Sequence, residues 1–263
     1  MRRHDPKALR IAKAVQQREQ PELVILFGSR ARGDHEELLS DIDVMLVQAT
    51  EPDDAIQKAA TAAAARVARE TYGREVPVEL VWRTIEEFRH NRRYVNSVET
   101  HAVKDGIVMP RDPNQYGSTQ YEDDDTEYSY DWESYEILIE RAEAHLSAFQ
   151  SLASNGQPDF PVGQQAHFAL ECGLKALLEA RKIPYGYNHS MADLLGTLRH
   201  FHPEMRDFRL SIAPDIYAEY AGRLGYRARR QPRLTDQPDY LEKTVADAQF
   251  LIERAKTARA EAV

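Results

Sequence analysis

Between Pro110 and about Asp131 the chain reads PRDPNQYGSTQYEDDDTEYSYD, poor in aliphatic residues and dense in Pro, Asp, Glu and Tyr. Such a stretch buries too little apolar surface to join a core and reads as a linker. It constrains the fold because sequence character differs on its two sides. Before it, short apolar runs alternate with helical patterns. After it, only helical periodicity is found. The 263 residues, 42% of them hydrophobic, are enough for two buried cores. The expected organisation is an α/β domain over 1–110, an acidic linker over 111–131 and an all-α helical bundle over 132–263.

In the first part, residues 7–20 have the spacing of a helix with Ala8, Ile11, Ala12 and Val15 on its apolar stripe. Leu23–Phe27 is a continuous apolar run bounded by Pro21 and Gly28, the pattern of a strand covered on both faces. A second strand is expected over Asp43–Val47, an alanine-rich helix from the acidic turn Glu51–Asp54 to a stop at Gly73, and a third strand over Val76–Trp82. Thr84 and Glu87 have capping-box spacing and start a helix whose continuation ends near Lys104. Ile107–Met109 is a further short apolar run. In the second part, helices are expected over 132–154, 163–182, 190–200, 204–224 with a break near Pro214, and 238–260.

The chemistry is concentrated in FGSRARGDHEELLSDIDVMLV, Phe27 to Val47. Side chains at i and i+2 of a strand share a face, so Asp41 and Asp43 present their carboxylates together. Glu79 interrupts the apolar alternation of the third strand; if strands two and three are neighbours, all three acids reach one place. Two carboxylates about 4 to 8 Å apart repel by roughly 2 to 4 kcal/mol at an effective dielectric of about 20, so a cation is called for. A pair of Mg²⁺ ions satisfies this demand, since Mg²⁺ prefers carboxylate oxygens together with substrate phosphates. Gly28 allows close backbone approach to a phosphate, and the Ser29 hydroxyl and loop amides can donate to its oxygens. Arg30 and Arg32 flank the same loop with guanidinium forks that match phosphate. The segment therefore reads as a triphosphate cradle beside a metal site.

GSRARGDHEELLSDID resembles the Gly-Ser-x-Ala-Arg-Gly…Ser-Asp-x-Asp signature of the minimal nucleotidyltransferases of the DNA polymerase beta superfamily. The resemblance implies a nucleotidyltransferase core in residues 1–110, with a small mixed sheet and flanking helices. It makes Asp41 and Asp43 metal ligands, Glu79 the third acid, and Gly28 and Ser29 residues at the nucleotide phosphates. ALECGLKALLEARKIPYGYNHSMADLL, Ala169 to Leu195, resembles a HEPN domain, the helical partner often paired with or fused to such transferases. No histidine of the helical part follows an arginine at the spacing of the HEPN ribonucleases, which argues against that activity.

His167, Glu171 and Lys175 recur at i, i+4 and i+8 and form a polar ridge, either the wet side of a helix or a surface facing the transferase cleft. In the second reading Glu171 deprotonates the acceptor hydroxyl, by analogy with antibiotic-modifying transferases. His189 reads as a helix-start residue making local hydrogen bonds. Gly222–Leu234 carries five arginines, a surface face or a contact for phosphates, RNA or a partner.

The expected activity is Mg²⁺-dependent transfer of a nucleoside monophosphate, AMP from ATP in the first instance, to a hydroxyl with release of pyrophosphate. The acceptor would be a protein or an RNA in a toxin–antitoxin or defence setting. The alternatives are a small-molecule transferase of the aminoglycoside type and a non-catalytic module that senses nucleotide and binds a partner. A homodimer through the helical part is expected from the resemblance. The net charge of −9 excludes a protein that coats nucleic acid non-specifically. Cys172, the single cysteine, excludes an internal disulfide and reads as a small buried residue. No run approaches the ~20 apolar residues of a membrane span, and no apolar signal core follows the first residues, so a cytoplasmic setting is expected.

Overall fold

The computed structural model describes residues 4–35, 40–111, 130, 132–186, 189–221 and 233–262. Most of the acidic linker and of the arginine-rich segment lies outside the described residues. The chain divides into two compact units, Met1–Ser129 and Tyr130–Val263.

The first unit contains α1 (Pro6–Glu19), β1 (Leu23–Phe27), α2 (Gly28–Arg32), β2 (Ile42–Gln48), α3 (Asp54–Tyr72), β3 (Val78–Thr84), α4 (Ile85–Asn91), α5 (Val98–Asp105) and β4 (Ile107–Pro110). The four strands form one mixed sheet in the order β3-β2-β1-β4. β1 is antiparallel to β2 and to β4, whereas β2 and β3 are parallel. All five residues of β1 are buried, as its unbroken apolar run requires.

One face of the sheet, with Val24, Leu26, Val44, Leu46 and Trp82, packs on α1 and α3. α1 starts at Asp5, whose carboxylate accepts from the Lys7 amide at 2.9 Å, with Pro6 in the first turn. In α3 the buried residues are Ala60, Ala64 and Ala68, small side chains at i, i+4 spacing that allow close approach, and the helix stops at Gly73 with φ +69°. The opposite face carries Ile25, Met45 and, by strand alternation, Asp43 and Glu79. α4 and α5 lie against β3 and β1. α4 opens on the full Thr84–Glu87 capping box.

Two local features differ from the sequence expectation here. The Gly-Ser-Arg-Ala-Arg stretch is a helical turn, α2, rather than an open loop. The single helix expected up to Lys104 is two, because Ser97 caps a new start by accepting from the Thr100 amide at 3.1 Å. The Thr100 hydroxyl also meets the carbonyls of Arg92 and Tyr94, which fixes the bend.

The second unit is helical, with α6 (Trp132–Ser154), α7 (Asp159–Ala180), α8 (Met191–Phe201), α9 (Pro214–Ala218) and α10 (Tyr240–Glu261). α7 is its axis and packs on α6, α8 and α10. Of the helix expected over 204–224 with a break near Pro214, only a 3₁₀ turn and the short α9 form among the described residues, which reach 221. Pro203 opens a single 3₁₀ turn and Pro214 the short α9, and between them the Ser211 amide donates to Asp247 of α10 at 2.7 Å instead of to a helical carbonyl. No helix among the described residues is long and apolar enough to cross a membrane.

Candidate metal and nucleotide site

Asp43 lies within β2, in register with Phe27 of β1 on one side and with Glu79 of β3 on the other. Asp41 stands two residues earlier, just ahead of the strand. One carboxylate oxygen from each of Asp41, Asp43 and Glu79 lies within 4.8 Å of the other two, and all three residues are half-buried. At that spacing each ionised pair repels by about 3 to 4 kcal/mol at an effective dielectric of about 20. Three hard oxygen donors facing one point suit a divalent cation such as Mg²⁺. These residues fit the metal that the sequence motif implies.

The turn next to the acids is shaped by Gly28, at φ +72°. A Cβ there would lie 2.0 Å from Oδ2 of Asp43. The glycine therefore makes room for the carboxylate as well as permitting the backbone conformation. Ser29 follows in the first turn of α2, half-buried, its carbonyl taken by the amides of Gly33 and Asp34.

The two arginines of the turn separate. Arg32 is partly exposed and paired with Asp34 at 3.2 Å. Arg30 is fully buried. Its Nη1 meets Asp5 Oδ2 at 2.5 Å and Tyr72 Oη at 3.2 Å, while Nε and Nη2 donate to the Ser40 carbonyl and Nε also to that of Asp41. This corrects the expectation that Arg30 flanks a bound phosphate, since its guanidinium is enclosed by the protein's own oxygens. Burial raises the Asp5 carboxyl, but hydrogen bonds from Tyr72, the Lys7 amide and Arg30 outweigh it and hold Asp5 below the usual carboxylate range.

A family profile described as nucleotidyltransferase domain matches residues 9–104, and one described as HEPN domain matches residues 135–261. The chain joins a nucleotidyltransferase domain to a HEPN domain. No curated protein matches it at a significant level. The acidic triad, Gly28 and Ser29 all fall inside the nucleotidyltransferase match, which makes transfer of a nucleotidyl group the activity class of this half.

In the HEPN domain, the expected polar ridge is a network with a buried centre and an exposed edge at His189. His167 and Glu171 are buried, and Glu171 accepts from His167 Nε2 at 3.0 Å, Lys175 Nζ at 2.6 Å and His189 Nδ1 at 2.8 Å. Burial raises this carboxyl, but hydrogen bonds from His167 and His189 and the Lys175 charge hold it well below the usual range. A carboxylate so stabilised is a weak base. The geometry thus does not favour Glu171 as the group that deprotonates an acceptor, and it corrects the picture of a solvated helix side. His189 is not a purely local helix-start residue either, because it bonds back to α7.

Two features of this architecture have no clear signal in the sequence: the Asp5–Arg30–Tyr72 cluster and the bond from His189 to Glu171. Asp5 ahead of Pro6 is a visible capping signal, but no periodicity connects it with Arg30, 25 residues on, or Tyr72, 67 residues on.

Proposed function

We propose that the nucleotidyltransferase domain moves a nucleoside monophosphate, AMP from ATP, onto a hydroxyl acceptor in an Mg²⁺-dependent reaction. The acceptor oxygen forms a bond to the α-phosphorus, the α–β bridging P–O bond breaks, and pyrophosphate leaves with that electron pair. The observation that carries this reading is the convergence of Asp41, Asp43 and Glu79 beside the Gly28–Ser29 turn. Bound there, Mg²⁺ supplies Lewis-acid chemistry, offsetting phosphate charge and favouring the ionised acceptor oxygen.

The chain's own groups have distinct parts. Asp43 and Glu79 hold their ligand oxygens from neighbouring strands, and Asp41 adds the third from the entry to β2. The Ser29 hydroxyl and the amides opening α2 orient the phosphates. Arg32 stands at the end of the same turn, where its guanidinium can exchange Asp34 for a phosphate oxygen. A protein or RNA acceptor in a toxin–antitoxin or defence setting is supported by the HEPN domain carried in the same chain.

The test is incubation with α-labelled nucleoside triphosphates and Mg²⁺, comparing wild type with Asp43→Asn. Label is expected on the chain itself, on tRNA or on a lysate component with wild type, and at least about 100-fold less with the variant. If wild type transfers no label and binds no Mg–NTP, the reading is wrong.

A further inference from the structure

The geometry points to Arg30 as a positioning residue for the acidic triad, one that sets the aim of Asp41. This inference rests on the reading of Asp41, Asp43 and Glu79 as a metal site.

The three acids are not held alike. Asp43 and Glu79 sit inside the sheet ladder, paired with each other and, for Asp43, with Phe27. Asp41 precedes the first residue of β2 and is outside that ladder. Contacts on both sides fix the chain at this entry. On one side, the Ile42 amide donates to the Pro77 carbonyl at 2.9 Å. On the other, the Arg30 fork grips two successive carbonyls: Ser40, from Nε at 3.1 Å and Nη2 at 2.7 Å, and Asp41 itself, from Nε at 3.0 Å.

Arg30 is in turn fixed from behind. Asp5 takes Nη1, the Tyr72 hydroxyl donates to the same Asp5 oxygen at 2.6 Å, and the Arg30 carbonyl accepts from the Asp5 amide at 2.9 Å. The guanidinium also lies 5.0 Å from the Tyr72 ring centroid. A planar fork with donors on two edges can bind Asp5 and both carbonyls at once, whereas a lysine ammonium in the same place cannot span them. Arg30 thereby replaces, for Asp41, the ladder hydrogen bonds that hold the other two acids.

The full-length protein is titrated with Mn²⁺, bound metal being read by electron paramagnetic resonance, and folding is checked by thermal melting. The variants are Arg30→Lys, the milder Asp5→Asn, Asp41→Asn and the doubles with Asp41→Asn. Wild type should bind Mn²⁺. Arg30→Lys should weaken binding by about 10- to 100-fold, as removal of a group that orients a metal ligand typically does. Asp5→Asn should give a smaller loss. In the Asp41→Asn background neither change should cost further affinity, because the side chain they aim is no longer a good ligand. A merely structural role predicts equal losses in both backgrounds, and that outcome overturns the inference. So does folded Arg30→Lys with affinity within about threefold of wild type; if Arg30→Lys does not fold, additive loss or no loss in the Asp5→Asn series does the same. Absence of Mn²⁺ binding by wild type overturns the metal-site reading itself, and the inference falls with it.

Discussion

Replacing Gly28 by alanine separates two effects at the centre of the site. The first is conformational: an L-residue held at φ +72° costs about 1 to 2 kcal/mol. At about 4 °C per kcal/mol for a domain of this size, melting should fall by roughly 4 to 8 °C. The second is steric. The added carbon would stand 2.0 Å from Asp43 Oδ2 and 3.0 Å from Asp43 Cγ. Carbon and oxygen in favourable contact are roughly 3.5 Å apart, so the carboxylate must withdraw by about 1 Å or more. A displacement of about 1 Å in a reacting constellation costs about 100-fold in rate.

Gly73→Ala supplies the control, because Gly73 has φ +69° and an added carbon there would meet nothing within 4 Å. It should reproduce the melting loss and leave Mn²⁺ affinity and label transfer untouched. Gly28→Ala should show a similar melting loss with at least a tenfold weaker Mn²⁺ affinity and about 100-fold slower transfer. Gly28→Ala that melts like Gly73→Ala and binds Mn²⁺ within threefold of wild type would show that Asp43 does not depend on the missing Cβ.

Two further outcomes test the HEPN domain. Glu171 has a depressed folded pKa, so its stabilising effect is fully present above the ordinary value of 4.5 and is lost as pH falls toward the folded value. Glu171→Gln should therefore cost about 3 to 5 kcal/mol at pH 7, and the gap in urea midpoint between wild type and variant should narrow at pH 3; a gap independent of pH contradicts this. Burial, with the Glu171 charge next, pushes the Cys172 thiol up to about 11, so about one thiol in a thousand is ionised at pH 8. Iodoacetamide should label Cys172 slowly in the native protein and quickly in urea, and equal rates would show the thiol to be open.

The acids are legible in the sequence because strand geometry has a period of two: Glu79 has to leave the apolar face of its own strand, and Asp41 and Asp43 are expected on one side, although Asp41 stands just ahead of β2 and its direction is set by the entry to the strand. Their register is not legible, since pairing of Asp43 with Glu79 depends on where Pro77 and Ile42 meet. Arg30 and Arg32 look equivalent as members of a loop. In a helical turn, residues two apart point to nearly opposite sides, which sends Arg30 into the protein and leaves Arg32 outside. The Glu171 ridge misleads for a related reason. Polar residues at i, i+4 spacing signal a wet surface only when nothing covers them, and here His167 and Glu171 are buried while Lys175 and the more exposed His189, from beyond the end of α7, bond to the Glu171 carboxylate.

Arg30 changes what α1 and α3 contribute. Both helices cover the sheet face opposite the acids, and burial alone would make them scaffolding. Yet Asp5, which caps α1, and Tyr72, the last residue of α3, meet at the guanidinium that holds the Asp41 carbonyl. The cap that satisfies a helix start and the clamp that orients Asp41 thus share a carboxylate, whose two oxygens divide the work: Oδ1 takes the Lys7 amide, and Oδ2 takes Arg30 and Tyr72. Loss of that carboxylate should be felt at the acids on the far side of the sheet, whereas loss of an ordinary helix cap would be felt only as fraying of α1.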